Sequence, residues 1–171
     1  MEMTKEKNTQ ERPAAKKVFS IRGLLPYVLF AAALLALDQG TKYWAQHCLQ
    51  LQREIPVIEG IFSFTYVQNY GAAFGMLSGQ RWILLLLTCG ILIGGVWLVV
   101  RYRITQPVLL LSGTAVFAGA IGHLVDRIRL SYVVDFLEVR FFSFPVFNLA
   151  DCFVVVGMAM LAIWILRGAD S

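Results

Sequence analysis

The chain has 171 residues, 58% of them hydrophobic and only 15% charged, with a mean hydropathy of +0.66. Soluble domains carry about 25% charged residues, so this composition excludes a disordered chain, a basic nucleic-acid-binding domain and a disulfide scaffold. It also argues against a water-soluble globule, whose surface so few polar residues would not cover.

The net charge of +4 is unevenly spread: six of the fifteen basic residues (Lys5, Lys7, Arg12, Lys16, Lys17 and Arg22) lie in the first 22 positions. Residues 1–17 read as a basic, disordered cytoplasmic tail, and 18–171 as a single four-span membrane domain. The tail does not open a secretory signal peptide, because three more apolar runs follow instead of a cleavage site and a soluble protein. The first run covers roughly Val18 to Leu37 and continues into Asp38, Lys42, Tyr43 and Trp44. Residues 45–81 form a long segment in which Ile58 to Val67 is rich in aromatic and β-branched residues, a strand signal, and Ala72 to Leu77 fits a short helix lying on the membrane. Residues 82–100 and 107–125 are uncharged runs of 19 residues each, close to the length that crosses roughly 30 Å of hydrocarbon. Between 126 and 146, Tyr132 to Val134 and Val139 to Phe144 again read as strands, and the last run extends from Phe144 to Leu166 with one charge, Asp151. The expected fold is therefore all-α and membrane-embedded: four transmembrane helices with a small extracytoplasmic β platform and a short surface helix. Glycines within the second and third spans point to close helix packing.

Basic residues set the orientation. The tail, Arg101, Arg103 and Arg167 fall on one side of a four-span chain, which places both termini in the cytoplasm. Tyr43, Trp44 and Trp82 then suit an outer interfacial belt. Cys48, Cys89 and Cys152 are odd in number and lack metal-ligand spacing, so no disulfide framework or metal site is expected.

On this topology four of the eleven acids, Asp38, Asp126, Asp135 and Asp151, gather at the outer end of the spans. Ionisable groups beside hydrocarbon are costly and so are functional candidates. Each also has a structural explanation to weigh. Asp38 precedes Lys42 by four residues, a favourable helical pair. Asp126 ends a helix near Arg127 and Arg129, which fits an ion-pair network. Asp151 follows Asn148 by three residues, as in a first turn capped by Asn148. Asp135, between Val134 and Phe136, has no evident partner, and for it the structural explanation is weakest.

The chemistry narrows further. No His-Glu-x-x-His occurs, and the only histidines are His47 and His123; Ser112, the one serine in reach of His123 along the span, lies about three turns deeper. Paired carboxylates are better supplied. Two close acids share a proton, so that one serves as base towards water and the other as acid towards the scissile carbonyl.

Five blocks in order carry a family resemblance: Asp38-Gln39-Gly40-Thr41-Lys42, Asn69-Tyr70-Gly71-Ala72-Ala73-Phe74-Gly75, Gly119-Ala120-Ile121-Gly122-His123-Leu124-Val125-Asp126-Arg127, Val133-Val134-Asp135-Phe136, and Phe144-Pro145-Val146-Phe147-Asn148-Leu149-Ala150-Asp151. The chain resembles the lipoprotein signal peptidases over nearly all its length beyond the tail. The resemblance implies an aspartic endopeptidase of the bacterial plasma membrane, with its active site at the extracytoplasmic face, cutting diacylglyceryl-modified prolipoproteins before the lipid-modified cysteine. It implies Asp135 and Asp151 as the catalytic pair, Asn69, Gly71, Arg127, Asn148 and His123 as residues that bind substrate or order the site, and Asp38, Lys42 and Asp126 as supporting positions. No cofactor, metal or nucleic acid is expected; the partners are the substrate and membrane lipid, and the chain is expected to work as a monomer. The departure is His123, where the family usually has asparagine. A small four-span transporter or channel is the runner-up reading, but a transporter would call for polar groups near the middle of the spans; a purely structural four-span anchor would leave Asp135 unexplained.

Overall fold

The computed structural model describes residues 21–52, 54–72 and 75–169. The expected tail, 1–17, lies outside them. A 3-10 turn, Ile21–Leu24, leads into α1 (Leu25–Gln52); β1 (Glu54–Ile58) and β2 (Phe62–Asn69) follow, then α2 (Arg81–Arg101), α3 (Pro107–Arg129), β3 (Val133–Val139) and α4 (Leu149–Ala169). Among the described residues, four helices are long and apolar enough to cross a membrane. Large side chains on their flanks, among them Trp82, Leu86 and Ile93, are more than 70% exposed, an arrangement suited to lipid and not to water.

The helix α1 has 28 residues, about 42 Å at 1.5 Å per residue, and so outruns the roughly 30 Å of a hydrocarbon core. It extends past Trp44 to Gln52, where the sequence reading had placed the start of a connecting segment. Its last turns have a reason to stay helical: Ala45 and Leu49 are fully buried beneath the sheet, against Val134 and Phe136, with Phe64 and Ile55 alongside. The sheet is antiparallel, in the order β1–β2–β3. Alternation along β3 sends Val134 and Phe136 towards α1 and Asp135 towards the opposite face. The reversal between β1 and β2 passes through Gly60 at φ +71°, the left-handed region that glycine enters without a Cβ penalty.

Two expected elements end early or late. Residues 140–143 form a turn instead of a strand continuing from Val139 to Phe144, and α4 begins at Leu149, not at Phe144. The cause is the same. Phe147 folds back on β3, accepting from the N–H groups of Phe136 (2.9 Å) and Leu137 (2.8 Å) and donating to the Leu137 carbonyl (3.0 Å). Pro145, with no N–H to donate, sits in the return. The expected surface helix, Ala72 to Leu77, includes positions 73 and 74 outside the described residues; on either side lie a bend at 71–72 and a turn at 76–79, with the N–H of Ala72 on the Met76 carbonyl at 2.7 Å.

The glycines that permit close helix approach are only some of those expected. Added Cβ atoms at Gly119 and Gly122 would overlap the Ala150 carbonyl and the Asp38 carboxylate, and one at Gly157 would lie 2.7 Å from the Ser112 carbonyl. Thus α3 meets α4 backbone to backbone, and Gly122 leaves room on α3 for the Asp38 carboxylate of α1. By contrast Gly90, Gly94 and Gly95 on α2 face open space, so that helix does not use them for packing within the chain. Replacing Gly119 or Gly157 with leucine is expected to cost about 1–3 kcal/mol or more, read as a lower unfolding temperature in detergent. Gly90→Ala is expected to leave that temperature unchanged or slightly raised.

Candidate active site

The acids meet at the end of the bundle that carries the sheet, and three local devices bring them there. The first is strand register. Asp135 lies opposite Val67 in the β2–β3 ladder, so Asn69, two residues on, shares its face. Asn69 Nδ2 donates to Asp135 Oδ2 at 2.9 Å, and its Oδ1 accepts the Gly71 N–H at 2.9 Å. Gly71 is needed for space, not for a special φ: a Cβ there would sit 2.7 Å from the Met76 carbonyl.

The second device is the start of α4. Asn148 Oδ1 accepts the Asp151 N–H at 3.1 Å while Asp151 Oδ2 accepts the Asn148 N–H at 2.9 Å. This is a reciprocal capping box, with Asp151 at the third helical position. The remaining arm of Asn148, its Nδ2, donates to Asp135 Oδ1 at 2.6 Å. One fully buried residue therefore bonds both acids. The cap expected from the Asn148–Asp151 spacing is therefore present, and the residue that caps with Asp151 also bonds Asp135.

The third device is an ion cluster beneath them. Lys42 Nζ lies 2.9 Å from Asp38 Oδ2 and 2.9 Å from Asp126 Oδ2, all three side chains being at least 97% buried. Asp38 Oδ1 accepts the Ala150 N–H at 3.0 Å, and Asp126 Oδ2 the Val134 N–H at 3.2 Å. Each supporting acid thus grips the backbone one residue before a candidate catalytic acid. Asp126 does not pair with Arg127 or Arg129, as the sequence reading had it; Lys42 takes it instead. Gln39, to which that reading gave no role, joins the two clamps by donating to Asp38 (3.1 Å) and Asp126 (3.0 Å). Its place beside Asp38 in the first block was the available signal.

Arg127 donates to the Gly71 carbonyl at 2.8 Å and interacts electrostatically with Asp135, Asp151 and Asp126. His123 Nε2 is 3.1 Å from Asp151 Oδ1. All ten sequence-selected residues therefore belong to one connected cluster.

The two acids sit in unequal surroundings. Asp135 is 2% exposed, whereas the Asp151 side chain is 39% exposed. Burial, aided by the nearby Asp151 charge and opposed by the Asn69 and Asn148 amides, lifts the Asp135 carboxyl to about 6. A buried acid and a partly exposed one beside it suit opposite roles in proton transfer. Among the described residues no His, Cys, Asp or Glu group is arranged to hold a metal ion. A separate cavity of about 440 Å³, between α1, α2 and α3, is walled by apolar side chains such as Leu35, Val96, Leu110 and Phe117, and contains none of these groups.

Two substitutions probe the cluster. Lys42→Met leaves two buried carboxylates without their cation and is expected to cost about 3–5 kcal/mol, seen as loss of the folded fraction in detergent. Because the folded-state value of Asp135 is raised, its protonated form favours the native state at low pH, and that stabilisation is lost as pH climbs through about 6. An infrared titration should show a protonated-carboxyl band that fades near pH 6 and is missing in Asp135→Asn.

The chain matches the family model for signal peptidase (SPase) II over residues 30–167. It is 42% identical over 136 residues to the lipoprotein signal peptidase of Clostridium novyi (strain NT), covering 78% of this chain and 92% of that one. It is 39% identical over 135 residues to the lipoprotein signal peptidase of Brevibacillus brevis, covering 79% and 91%. A solved bacterial membrane enzyme superposes with a TM-score of 0.81 at 29% identity, over 85% of this chain and 90% of the other. The chain belongs to the signal peptidase II family, peptidases of the aspartic type.

Proposed function

We propose that Asp135 and Asp151 form the catalytic dyad of a peptidase that removes the signal peptide from prolipoproteins. The observation that carries the reading is Asn148, whose side-chain amide holds Asp135 while its backbone N–H holds Asp151. In the proposed reaction a water lies between the acids. Asp151, the more exposed member, takes a proton from that water as the water oxygen attacks the scissile carbonyl carbon. Asp135, buried and inclined to keep its proton, gives that proton to the carbonyl oxygen. The tetrahedral intermediate then collapses: the carbon–nitrogen bond breaks, the amine leaves with the proton held by Asp151, and the intermediate's hydroxyl returns its proton to Asp135. Both acids end as they began, and the products are a carboxyl and an amine.

The substrate on this reading is a precursor whose cysteine after the cleavage point bears diacylglyceryl. Its scissile bond lies at the membrane surface, the depth at which helix ends and sheet gather the acids. Lipid tails enter from the bilayer between helices, and the sheet supports the peptide. Both termini lie in the cytoplasm, the acids face the extracytoplasmic side of the bacterial plasma membrane, and a monomer suffices. Asn69 orders the site instead of presenting its amide to substrate, since both ends of that amide are engaged within the chain. A transporter is disfavoured because the polar groups cluster at one end of the spans and not at their middle.

Asp135→Asn and Asp151→Asn, made singly, should each lower cleavage of a lipid-modified precursor by about 10³-fold or more without loss of membrane insertion. Retention of near-normal cleavage by either variant refutes the dyad. Unmodified precursor should be cut far more slowly than lipidated precursor by the wild-type protein, and equal rates would refute the lipid requirement.

A further inference from the structure

We propose that His123 is the positioning residue of Asp151, holding Oδ1 through its Nε2–H so that the carboxylate is fixed at both oxygens. The inference rests on the dyad reading and adds to it the residue that holds the second oxygen of Asp151. Asp151 Oδ2 is held by the Asn148 N–H at 2.9 Å, and Oδ1 has His123 Nε2 at 3.1 Å. Of the imidazole's two nitrogens, one faces that oxygen; the other, Nδ1, is buried with no hydrogen-bond partner among the described residues.

These surroundings define what the ring can do. A neutral imidazole offers one donor and one acceptor. With the proton on Nδ1, the Nε2 lone pair would face a carboxylate oxygen, and a buried N–H would lack an acceptor, so the partners assign the proton to Nε2. Neither nitrogen is then free to reach a water. Nε2 is engaged by Asp151 and Nδ1 is enclosed, so His123 cannot itself be the base; it acts through Asp151. The other charged groups of the surroundings are Asp135 on β3, Lys42 on α1 and Arg127 on its own helix. Among the described residues none of them makes a hydrogen bond or ion pair with Asp151 Oδ1, which leaves orientation of that oxygen to His123. An asparagine amide also offers an N–H donor, from a shorter arm, so the position is defined by donation and not by a ring.

The test uses the full chain in detergent with a lipidated precursor. His123→Ala is expected to lower kcat by about 10–100-fold, the scale of a misplaced catalytic group, with KM within about twofold. His123→Asn is expected to restore kcat to within about fivefold of wild type, and His123→Leu, which fills the space without a donor, is not. Nitrogen-15 NMR of histidine-labelled protein adds a readout independent of turnover. Only His47 and His123 contribute, and His47→Gln leaves one imidazole. It should show the Nε2–H tautomer, with a resonance that shifts in Asp151→Asn. The proposal is overturned if His123→Ala or His123→Leu keeps kcat within twofold, if the loss falls on KM alone, or if the proton is on Nδ1. Should His123→Ala fail to fold, the leucine and asparagine variants and the tautomer decide. Failure of the dyad reading registers separately, as turnover surviving in Asp135→Asn or Asp151→Asn.

Discussion

Everything at the site hangs on a lysine ammonium held between two buried carboxylates. Removing three charges from water is expensive, and such clusters rarely add much net stability. What this one adds is geometry. Asp38 has an oxygen left over from Lys42 for the backbone of α4, and Asp126 shares its oxygen with the backbone of β3. A strand and a helix from distant parts of the chain are thereby fixed to one point, each one residue from an acid. Glycines at 119 and 122 allow the helices to approach closely enough for those contacts to close.

The pair then differs because its members are delivered by different elements. A strand covered on both faces carries Asp135 into the interior, where burial raises its affinity for a proton. A helix start leaves Asp151 partly exposed and supplies the Asn148 backbone N–H to one of its oxygens, while His123 on α3 stands 3.1 Å from the other. Asn148 joins the two environments and limits how far apart the acids can move.

Much of this was legible in the sequence. Charge-free stretches of helical length disclosed the spans, because hydrocarbon tolerates no unpaired polar backbone. The acids stood out against that background, and the Asn148–Asp151 spacing announced a helix cap that the structure contains. The remainder depends on tertiary contacts with no periodic signal. The choice of Lys42 over Arg127 as the partner of Asp126 follows from how α1 crosses α3. The late start of α4 follows from Phe147 pairing with Leu137. The partners of Asp135 come from a strand 66 residues away and from the cap residue of α4, and nothing adjacent to Asp135 reveals them. Glycine counts likewise could not separate Gly119, which meets a backbone, from Gly90, which meets nothing.

The reciprocal cap at Asn148 and Asp151 has a thermodynamic corollary. A side chain already bonded to the backbone of its own helix has surrendered its rotamer freedom when the protein folds. None of that entropy remains to be lost when a peptide arrives. On the proposed dyad reading, the Asp151 carboxylate is preorganised by secondary structure itself, and loosening the first turn of α4 would weaken catalysis and the fold in the same motion.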